Sequence, residues 1–283
     1  MKKITAYLFF YFSIISYLYA QENKCGTVVS PEFMKSYKQR IKNEFNKTRN
    51  VNIKASTVPD TCLNKEIAIT MHIVCDSTGS CKITKSDIDD AFTILNNDFK
   101  PICLSFKICK IDTIKNWKYN FFDSQIEEKE IFTLYYNPKT INVYLVEKIK
   151  LNGGYPAGYA PLPPSSDYIF LNKSAIKTSI SHEMGHYFNL LHTFEISGGA
   201  EDADGDNCET AGDLICDTEA DIENAQFSGC TYIGSAKDTK GDYITPPICN
   251  LMSYHPKACR CCFTTQQYNR MAHAYIYFRK YLY

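Results

Sequence analysis

The run HEMGHYFNLLH, residues 182–192, places three histidines and a glutamate within eleven positions. On a helix, His182 and His186 stand one turn apart on a shared face, so two imidazole nitrogens can reach one ion. Zinc suits such a pair, and Glu183, beside a ligand but not itself one, is placed to act as general base. His192 comes six positions after His186, about 240° further round a continuing helix, which would point it away from the metal. A third ligand therefore requires the helix to break near Asn189, at a left-handed residue; asparagine tolerates that conformation best after glycine. Three neutral imidazoles leave a four-coordinate zinc one open position, the mark of a catalytic rather than a structural site. Zinc there lowers the pKa of water from 15.7 towards about 7, and Glu183 would take its proton and pass it to the leaving group.

The motif resembles HExxHxxGxxH, the zinc signature of the metzincin metallopeptidases, with Asn189 standing for its glycine. The continuation through Thr193 and Phe194 and the later NLMSY, residues 250–254, resemble the pappalysin (cytophagalysin) branch. KEIAITMHIV (65–74), the helical stretch ending ILNNDF (94–99), and GYAPLP before DYIFLN (158–172) resemble that family too, so the match covers most of residues 65–271. The resemblance implies that Met252 is the Met-turn residue beneath the zinc and that Tyr254 donates a hydrogen bond to the developing oxyanion. It implies that Gly158, Tyr159 and Ala160 form the edge strand on which substrate is laid antiparallel. It also implies that Cys25, in KCGT, blocks the zinc's open position in a zymogen.

The elements that must position this site are legible around it. Residues 66–74, 104–111, Ile141–Val146 and Tyr168–Asn172 have strand character, and residues 84–99 read as a helix with Thr84 at its N-cap. Its apolar stripe is Ile88, Ala91, Phe92, Leu95 and Phe99. The zinc helix spans 178–190, with Thr178 or Ser179 as cap, and residues 264–281 close the chain as a helix opened by a Thr264–Gln267 capping box. Residues 193–253 dissolve into Gly, Asp, Pro and Cys. The fold expected is α/β (α+β), a metzincin-type zincin: a twisted mixed sheet with an active-site helix, plus a loop-rich, disulfide-bonded C-terminal subdomain.

Composition bounds the setting. Lys2 and Lys3, an apolar tyrosine-rich stretch and Ala20 before Gln21 read as a signal peptide over 1–20. A membrane anchor is the alternative, disfavoured because the stretch is short and interrupted. Residues 21–58, polar and without a sustained apolar period, read as a propeptide in which the basic run KSYKQRIK (35–42) offers a processing site or a solvated helix face. The catalytic domain is then 59–283, divided into 59–192 and 193–283. Formal charge is balanced at 31 basic and 31 acidic residues, which gives no footprint for nucleic acid. Thirteen cysteines in a secreted chain point to disulfides; with Cys25 as the switch that the resemblance implies, rather than paired or simply free, twelve others remain for up to six bridges. The resemblance implies Cys208 with Cys249 and Cys230 with Cys259; Cys75 and Cys81 flank a Gly-containing turn, where a local hairpin bridge is expected.

Residues 201–221 carry nine carboxylates and no Lys or Arg. Asp202, Asp204, Asp206 and Asp213 fall at positions 1, 3, 5 and 12 of an EF-like spacing, but without its glycine or its final glutamate. GDLICDT (212–218) resembles a stretch lying near calcium in some pappalysins, which adds Asp217 and Thr218 as candidate calcium ligands, against the alternative of a solvated acidic loop. Relatives often prefer Arg after the scissile bond, using an Asp just past the Met-turn tyrosine; here HPKAC (255–259) puts Lys257 in its place, which favours an acidic or uncharged side chain. The chain thus reads as a monomeric, secreted zinc endopeptidase acting on protein or peptide substrates, made as a zymogen, with no nucleic-acid partner and no stable membrane anchor. The rival is a catalytically silent zinc-bearing binding or adhesion module, which would have no need of Glu183.

Overall fold

The computed structural model describes residues 24–48 and 62–282. The expected signal peptide and the domain boundary near Pro59 lie outside the described residues. A five-stranded sheet runs in the order β2 (Leu104–Ile114), β1 (Lys65–Val74), β4 (Ile141–Val146), β7 (Tyr168–Asn172), β6 (Gly158–Tyr159). The first four strands are mutually parallel, and only the edge strand β6 is antiparallel to its neighbour. Parallel strands covered on both faces read as continuous apolar runs, and β4, INVYLV, is buried at every position.

Alternation along β4 divides the core into two layers. Ile141, Val143 and Leu145 join α2 (Lys85–Phe99) and α4 (Ile176–Tyr187) on one face. Tyr144 and Val146 join Phe122, Ile131 and Phe170 on the other, beneath α3 (Ser124–Tyr135). Helix α2 begins as its sequence dictates: Thr84 and Asp87 form a reciprocal capping box, and Ile88, Ala91, Phe92, Leu95 and Phe99 are its buried stripe. The last helix, α5 (Thr265–Ala274), opens on the Thr264–Gln267 box and continues as a π-helical turn over Tyr275–Arg279.

Several expectations are corrected. Helix α4 starts at Ile176, after a 3-10 turn over Lys173–Ala175, and has no side-chain cap; the Thr178 hydroxyl instead donates back to the Ala175 carbonyl. The preceding turn supplies the first-turn partners that a capping side chain would otherwise provide. The stretch taken as lacking an apolar period forms α1 (Pro31–Thr48), because Met34, Tyr37 and Ile41 recur at helical spacing and bury against Leu162, Leu191 and Leu214. The basic run 35–42 lies in this docked helix, where Lys38 donates to the carbonyls of Gly198 and Thr210 and Arg40 to that of Pro163. A protease needs extended backbone, so the run is not presented for cleavage while α1 stays docked.

Five disulfides occur among the described residues. Cys230–Cys259 and Cys75–Cys81 are among them, but Cys208 is not joined to Cys249. Cys208 pairs with Cys216 eight residues on, across a loop folded back by Gly212 and Leu214 at positive φ. Cys249 pairs with Cys262, drawn in by the Asn250–Cys262 bridge and the amide of Leu251 bonding to the Cys262 carbonyl. Cys62–Cys103 is the fifth, leaving Cys25, Cys109 and Cys261 as thiols.

Arg279 fastens the segment after α5 to the back of α4. Its guanidinium lies 2.5 Å from Asp167 and stacks 4.1 Å over the ring of Tyr187, whose hydroxyl donates to the same carboxylate at 3.0 Å. Removing one partner of a buried pair leaves the other charge uncompensated. Arg279→Ala should therefore lower unfolding stability by about 3–5 kcal/mol in denaturant titrations; a loss under about 1 kcal/mol would place this pair with ordinary surface bridges.

Candidate active site

Helix α4 presents His182, Glu183 and His186 into the space between the sheet's edge and the loop-rich half, and all three are buried. The helix stops where the sequence requires it. Phe188 leaves helical geometry, and Asn189 follows at φ 76°, so the chain turns back and returns His192 to the other two histidines. The amide of Asn189 donates to the His186 carbonyl at 2.8 Å, sealing the turn, while its side-chain Oδ1 is buried without a partner.

The ring nitrogens are oriented from behind. Nδ1 of His182 faces the Leu251 carbonyl at 2.6 Å and Nδ1 of His186 the Leu190 carbonyl at 2.8 Å, which puts the proton on Nδ1 and a lone pair on Nε2. Nε2 of His182 is buried with no partner, and Nε2 of His186 lies 3.0 Å from Nε2 of His192. Burial holds all three imidazoles neutral: the pKa of His186 falls to about 4, and those of His182 and His192 fall well below the ordinary value. Tetrahedral zinc at about 2.0–2.1 Å from each nitrogen would separate them by roughly 3.4 Å, so the set fits that ion. The Cys25 sulfur completes a group whose candidate ligand atoms all lie within 4.8 Å of one another.

Beneath the histidines sits Met252, fully buried. A methyl group on Gly185 would come within 2.5 Å of its sulfur, so the unassigned residue of HEMGH must be small for Met252 to pack against the helix. The Tyr254 ring lies 4.9 Å from the His192 ring and 4.5 Å from that of Phe194. Its hydroxyl donates to the Cys25 carbonyl at 2.9 Å. Glu183 is raised to about 8 by burial, and its Oε2 receives the Cys25 thiol at 3.1 Å. Gly158 lies against the same carboxylate: a Cβ there would approach Glu183 Oε1 to 3.0 Å.

Asp221, one of nine acidic residues in its stretch, carries no signal in the sequence that separates it from its neighbours. Its carboxylate accepts from Thr193, next to His192, and from Ser253, next to Met252, and lies 3.1 Å from Nε2 of buried His255. It thereby ties the third histidine's loop to the methionine turn. His72 is a core residue, its Nε2 3.0 Å from Asn142 and its ring stacked on Tyr144.

The candidate calcium residues do not converge on one point. Asp202, Asp204 and Asp206 gather around the ammonium of Lys240, at 3.4, 2.8 and 3.1 Å, so a lysine distant in sequence neutralises the EF-like spacing. Asp217 instead accepts from the Thr264 hydroxyl and the Gln266 amide at the start of α5. Asp213, fully buried, accepts from the Thr218 hydroxyl through Oδ1, and its Oδ2 has no partner. Lys257 is half-buried.

Comparison with known proteins decides the family. The Peptidase_M43 model, described as pregnancy-associated plasma protein-A, matches residues 123–275, spanning the edge strand, the three histidines and the methionine turn. The chain belongs to this family. It is a metalloendopeptidase, and the family implies a catalytic zinc. An extracellular metalloprotease of Arthroderma gypseum is 25% identical over 270 residues, covering 89% of this chain and 83% of that protein. Another, from Pyricularia oryzae, is 29% identical over 233 residues, 74% of each chain. Among solved structures, a Tannerella forsythia promirolysin mutant superposes with a TM-score of 0.60 at 17% identity, over 92% of this chain and 96% of that one. Mature mirolysin with a cleaved peptide gives 0.54 at 18% identity, over 77% and 91%. These two show that the peptidase shares the mirolysin fold.

Asn189 offers a direct check on the turn. Asn189→Gly should leave zinc content unchanged and raise stability by up to about 1 kcal/mol, whereas Asn189→Val, strained at positive φ, should lose zinc. Metal analysis and thermal melting of the two variants distinguish these outcomes, and full zinc retention in the valine variant would refute the turn's role.

Proposed function

We propose that this chain is a secreted zinc endopeptidase held latent by its own N-terminal segment, with Glu183 as general base. The observation that carries the reading is that one residue, Cys25, engages every group the reaction would need. Its sulfur joins the three histidines and donates to Glu183, its carbonyl takes the Tyr254 hydroxyl, and its backbone bridges Gly158 on the edge strand. Five disulfides among the described residues and the extracellular metalloproteases among its relatives support secretion. No helix among the described residues is long and apolar enough to cross a membrane.

Direction explains why the blocking segment is not itself cut. Cys25 pairs with Gly158 in parallel, supported by the Gly26 amide on the Gly158 carbonyl at 2.7 Å and the Ala157 amide on the Lys24 carbonyl at 2.6 Å. A substrate laid antiparallel on the same edge runs the other way, so the Cys25 peptide presents its carbonyl to Tyr254 rather than to the metal. Lys24 adds an ion pair to Glu223 at 2.7 Å. Helix α1 clamps the other end, with the Tyr37 hydroxyl donating at 2.6 Å to the carbonyl of Asn189, the residue that turns His192 inward. The segment 21–58 is then a propeptide, and 59–283 the catalytic domain.

When bound, zinc supplies Lewis acidity towards a peptide carbonyl and a lowered pKa for water. The chain's own residues do the rest. His182, His186 and His192 would hold the ion, with the protons of His182 and His186 fixed on Nδ1 by the Leu251 and Leu190 carbonyls. Once Cys25 leaves, Glu183 accepts a proton at Oε2 and delivers it to the departing amine, an exchange suited to a carboxyl raised towards neutrality by burial. Tyr254, freed from the Cys25 carbonyl, donates to the oxygen on which negative charge develops. Gly158, Tyr159 and Ala160 align the peptide through backbone hydrogen bonds, and Met252 packs under the ligands.

Calcium remains part of the proposal at a different site, which keeps Asp213 from the expected ligands and adds Glu201, a residue the sequence did not single out as a ligand. Glu201 Oε2 and Asp213 Oδ2 are buried without partners, and burial together with nearby carboxylates raises Glu201 to about 8, while burial raises Asp213 to about 7. A bound cation would satisfy both. Calcium at 100 times its Kd should raise stability by about 2.7 kcal/mol, seen as a higher melting temperature; a Glu201→Gln, Asp213→Asn double variant that still responds fully would exclude this pair.

The latency reading makes two linked predictions. Full-length Cys25→Ser should cleave a denatured protein without prior processing, while the wild-type full-length chain stays at least about 100-fold slower. Glu183→Gln should abolish cleavage in processed enzyme yet keep one zinc per chain. Equal activity in the full-length wild type and Cys25→Ser would refute the switch, and a fully active Glu183→Gln would refute the base.

A further inference from the structure

The edge strand β6 is two residues long, paired with β7 at Gly158 with Leu171 and Tyr159 with Phe170. So short a pairing would open locally unless other contacts held it. Just ahead of it, the Asn172 amide donates to the Ala157 carbonyl at 2.8 Å and the Asn172 side chain to that of Pro156 at 3.0 Å. At Tyr159 the hold comes from a carboxylate. The Tyr159 hydroxyl donates to Glu128 Oε2 at 2.6 Å, and the hydroxyl of Tyr168, on β7, donates to Oε1 of the same group at 2.5 Å. Glu128 lies on α3 and plays no part in the reaction described above. The Tyr159 ring is buried and stacks on Phe170 at 5.3 Å with the planes 3° apart, so its hydroxyl is aimed rather than free to turn. Burial and the Glu128 charge raise both tyrosines above their usual range, which keeps both hydroxyls protonated as donors.

The outer side of β6 is where a peptide would lie. In the full-length chain the Ala157 amide and the Gly158 carbonyl there take Lys24 and Gly26, and the Ala160 amide and carbonyl both bond to the Thr27 hydroxyl. Gly158 leaves no slack behind the strand: a Cβ there would come within 2.8 Å of the Phe170 carbonyl and 3.0 Å of Glu183 Oε1. A shift of the strand therefore changes how a bound peptide lies against the general base. We propose that Glu128 is a positioning residue for peptide binding: by tethering the Tyr159 hydroxyl to α3, it holds β6 where an extended substrate can pair with it. The inference rests on the reading of β6 as the strand that aligns substrate. A hydrogen bond to an ionised carboxylate is roughly twice as strong as one between neutral groups, and one carboxylate shared by two strands also fixes their spacing. The plain alternative is that Glu128 only satisfies two buried hydroxyls. Tyr168 separates the two, because it shares the carboxylate but lies on an inner strand.

The test uses zinc-loaded enzyme freed of its N-terminal segment. An extended peptide that it cleaves is compared with the same peptide N-methylated at the amides that would pair with β6. Wild-type enzyme should favour the unmodified peptide through KM. Glu128→Ala and Tyr159→Phe should each raise KM for that peptide about tenfold with kcat within about twofold, and should change the N-methylated peptide little. The double variant should be no worse than Glu128→Ala, since both remove one contact. Tyr168→Phe should keep the wild-type ratio of the two KM values. Tyr159→Phe retains the ring and its stacking, so it decides the matter even where Glu128→Ala fails to fold. An unchanged ratio in Tyr159→Phe, or an equal loss in Tyr168→Phe, would overturn the positioning role and leave Glu128 a partner of the core. Equal KM for both peptides in the wild type would overturn the edge-strand reading and this inference with it, while leaving the peptidase intact.

Discussion

Three imidazoles gathered in one buried cluster, each held neutral by burial, are the constraint on which the remaining structure depends. Left alone, such a cluster is unfavourable: the unpartnered Nε2 of His182 and the close approach of His186 to His192 cost desolvation that only a metal ion returns. The fold invests accordingly. Carbonyls of Leu251 and Leu190 set the tautomers of His182 and His186, Met252 packs against Gly185 of the helix that carries them, and Asp221 joins Thr193 to Ser253 and so ties the ligand loop to the methionine turn. Binding energy of the ion is thereby coupled to the folding of the loop-rich half, whose disulfides and few strands give it little sheet of its own.

The N-terminal segment reads as an extension of that same design. It adds the sulfur to the ligand group, adds a strand-like bridge to the sheet's edge, and adds α1 as an apolar clamp over Leu162, Leu191 and Leu214. The Tyr37 hydroxyl reaches the carbonyl of Asn189, so the clamp holds the turn that returns His192 to the ligand group Cys25 joins. On this account one thiol does the blocking, and the edge-strand bridge and α1 hold it in place. Removing the segment exposes the apolar surface that α1 covers.

What the sequence disclosed follows from how local its causes are. The zinc motif was legible because three ligands lie within eleven residues and the break they demand falls on Asn189, which does adopt positive φ. Helices α2 and α5 were legible through capping boxes, which are signals three residues long. Pairings between distant segments were not. Lys240 neutralises Asp202, Asp204 and Asp206 from more than thirty residues away, Cys208 takes Cys216 rather than Cys249, and Asp221 looks like any acid in its run. Helix α1 escaped notice because three apolar residues among many lysines give a weak period, made sufficient only by the surface they meet.

The central claim is that His182, His186, His192 and Cys25 share one metal ion in the full-length chain. X-ray absorption at the zinc edge of the purified, uncleaved protein tests it most directly. The account predicts one sulfur at about 2.3 Å together with three imidazole nitrogens at about 2.0–2.1 Å, and loss of the sulfur shell alone in Cys25→Ser. A wild-type spectrum with nitrogen and oxygen ligands only, or a sulfur shell that survives in Cys25→Ser, would contradict it.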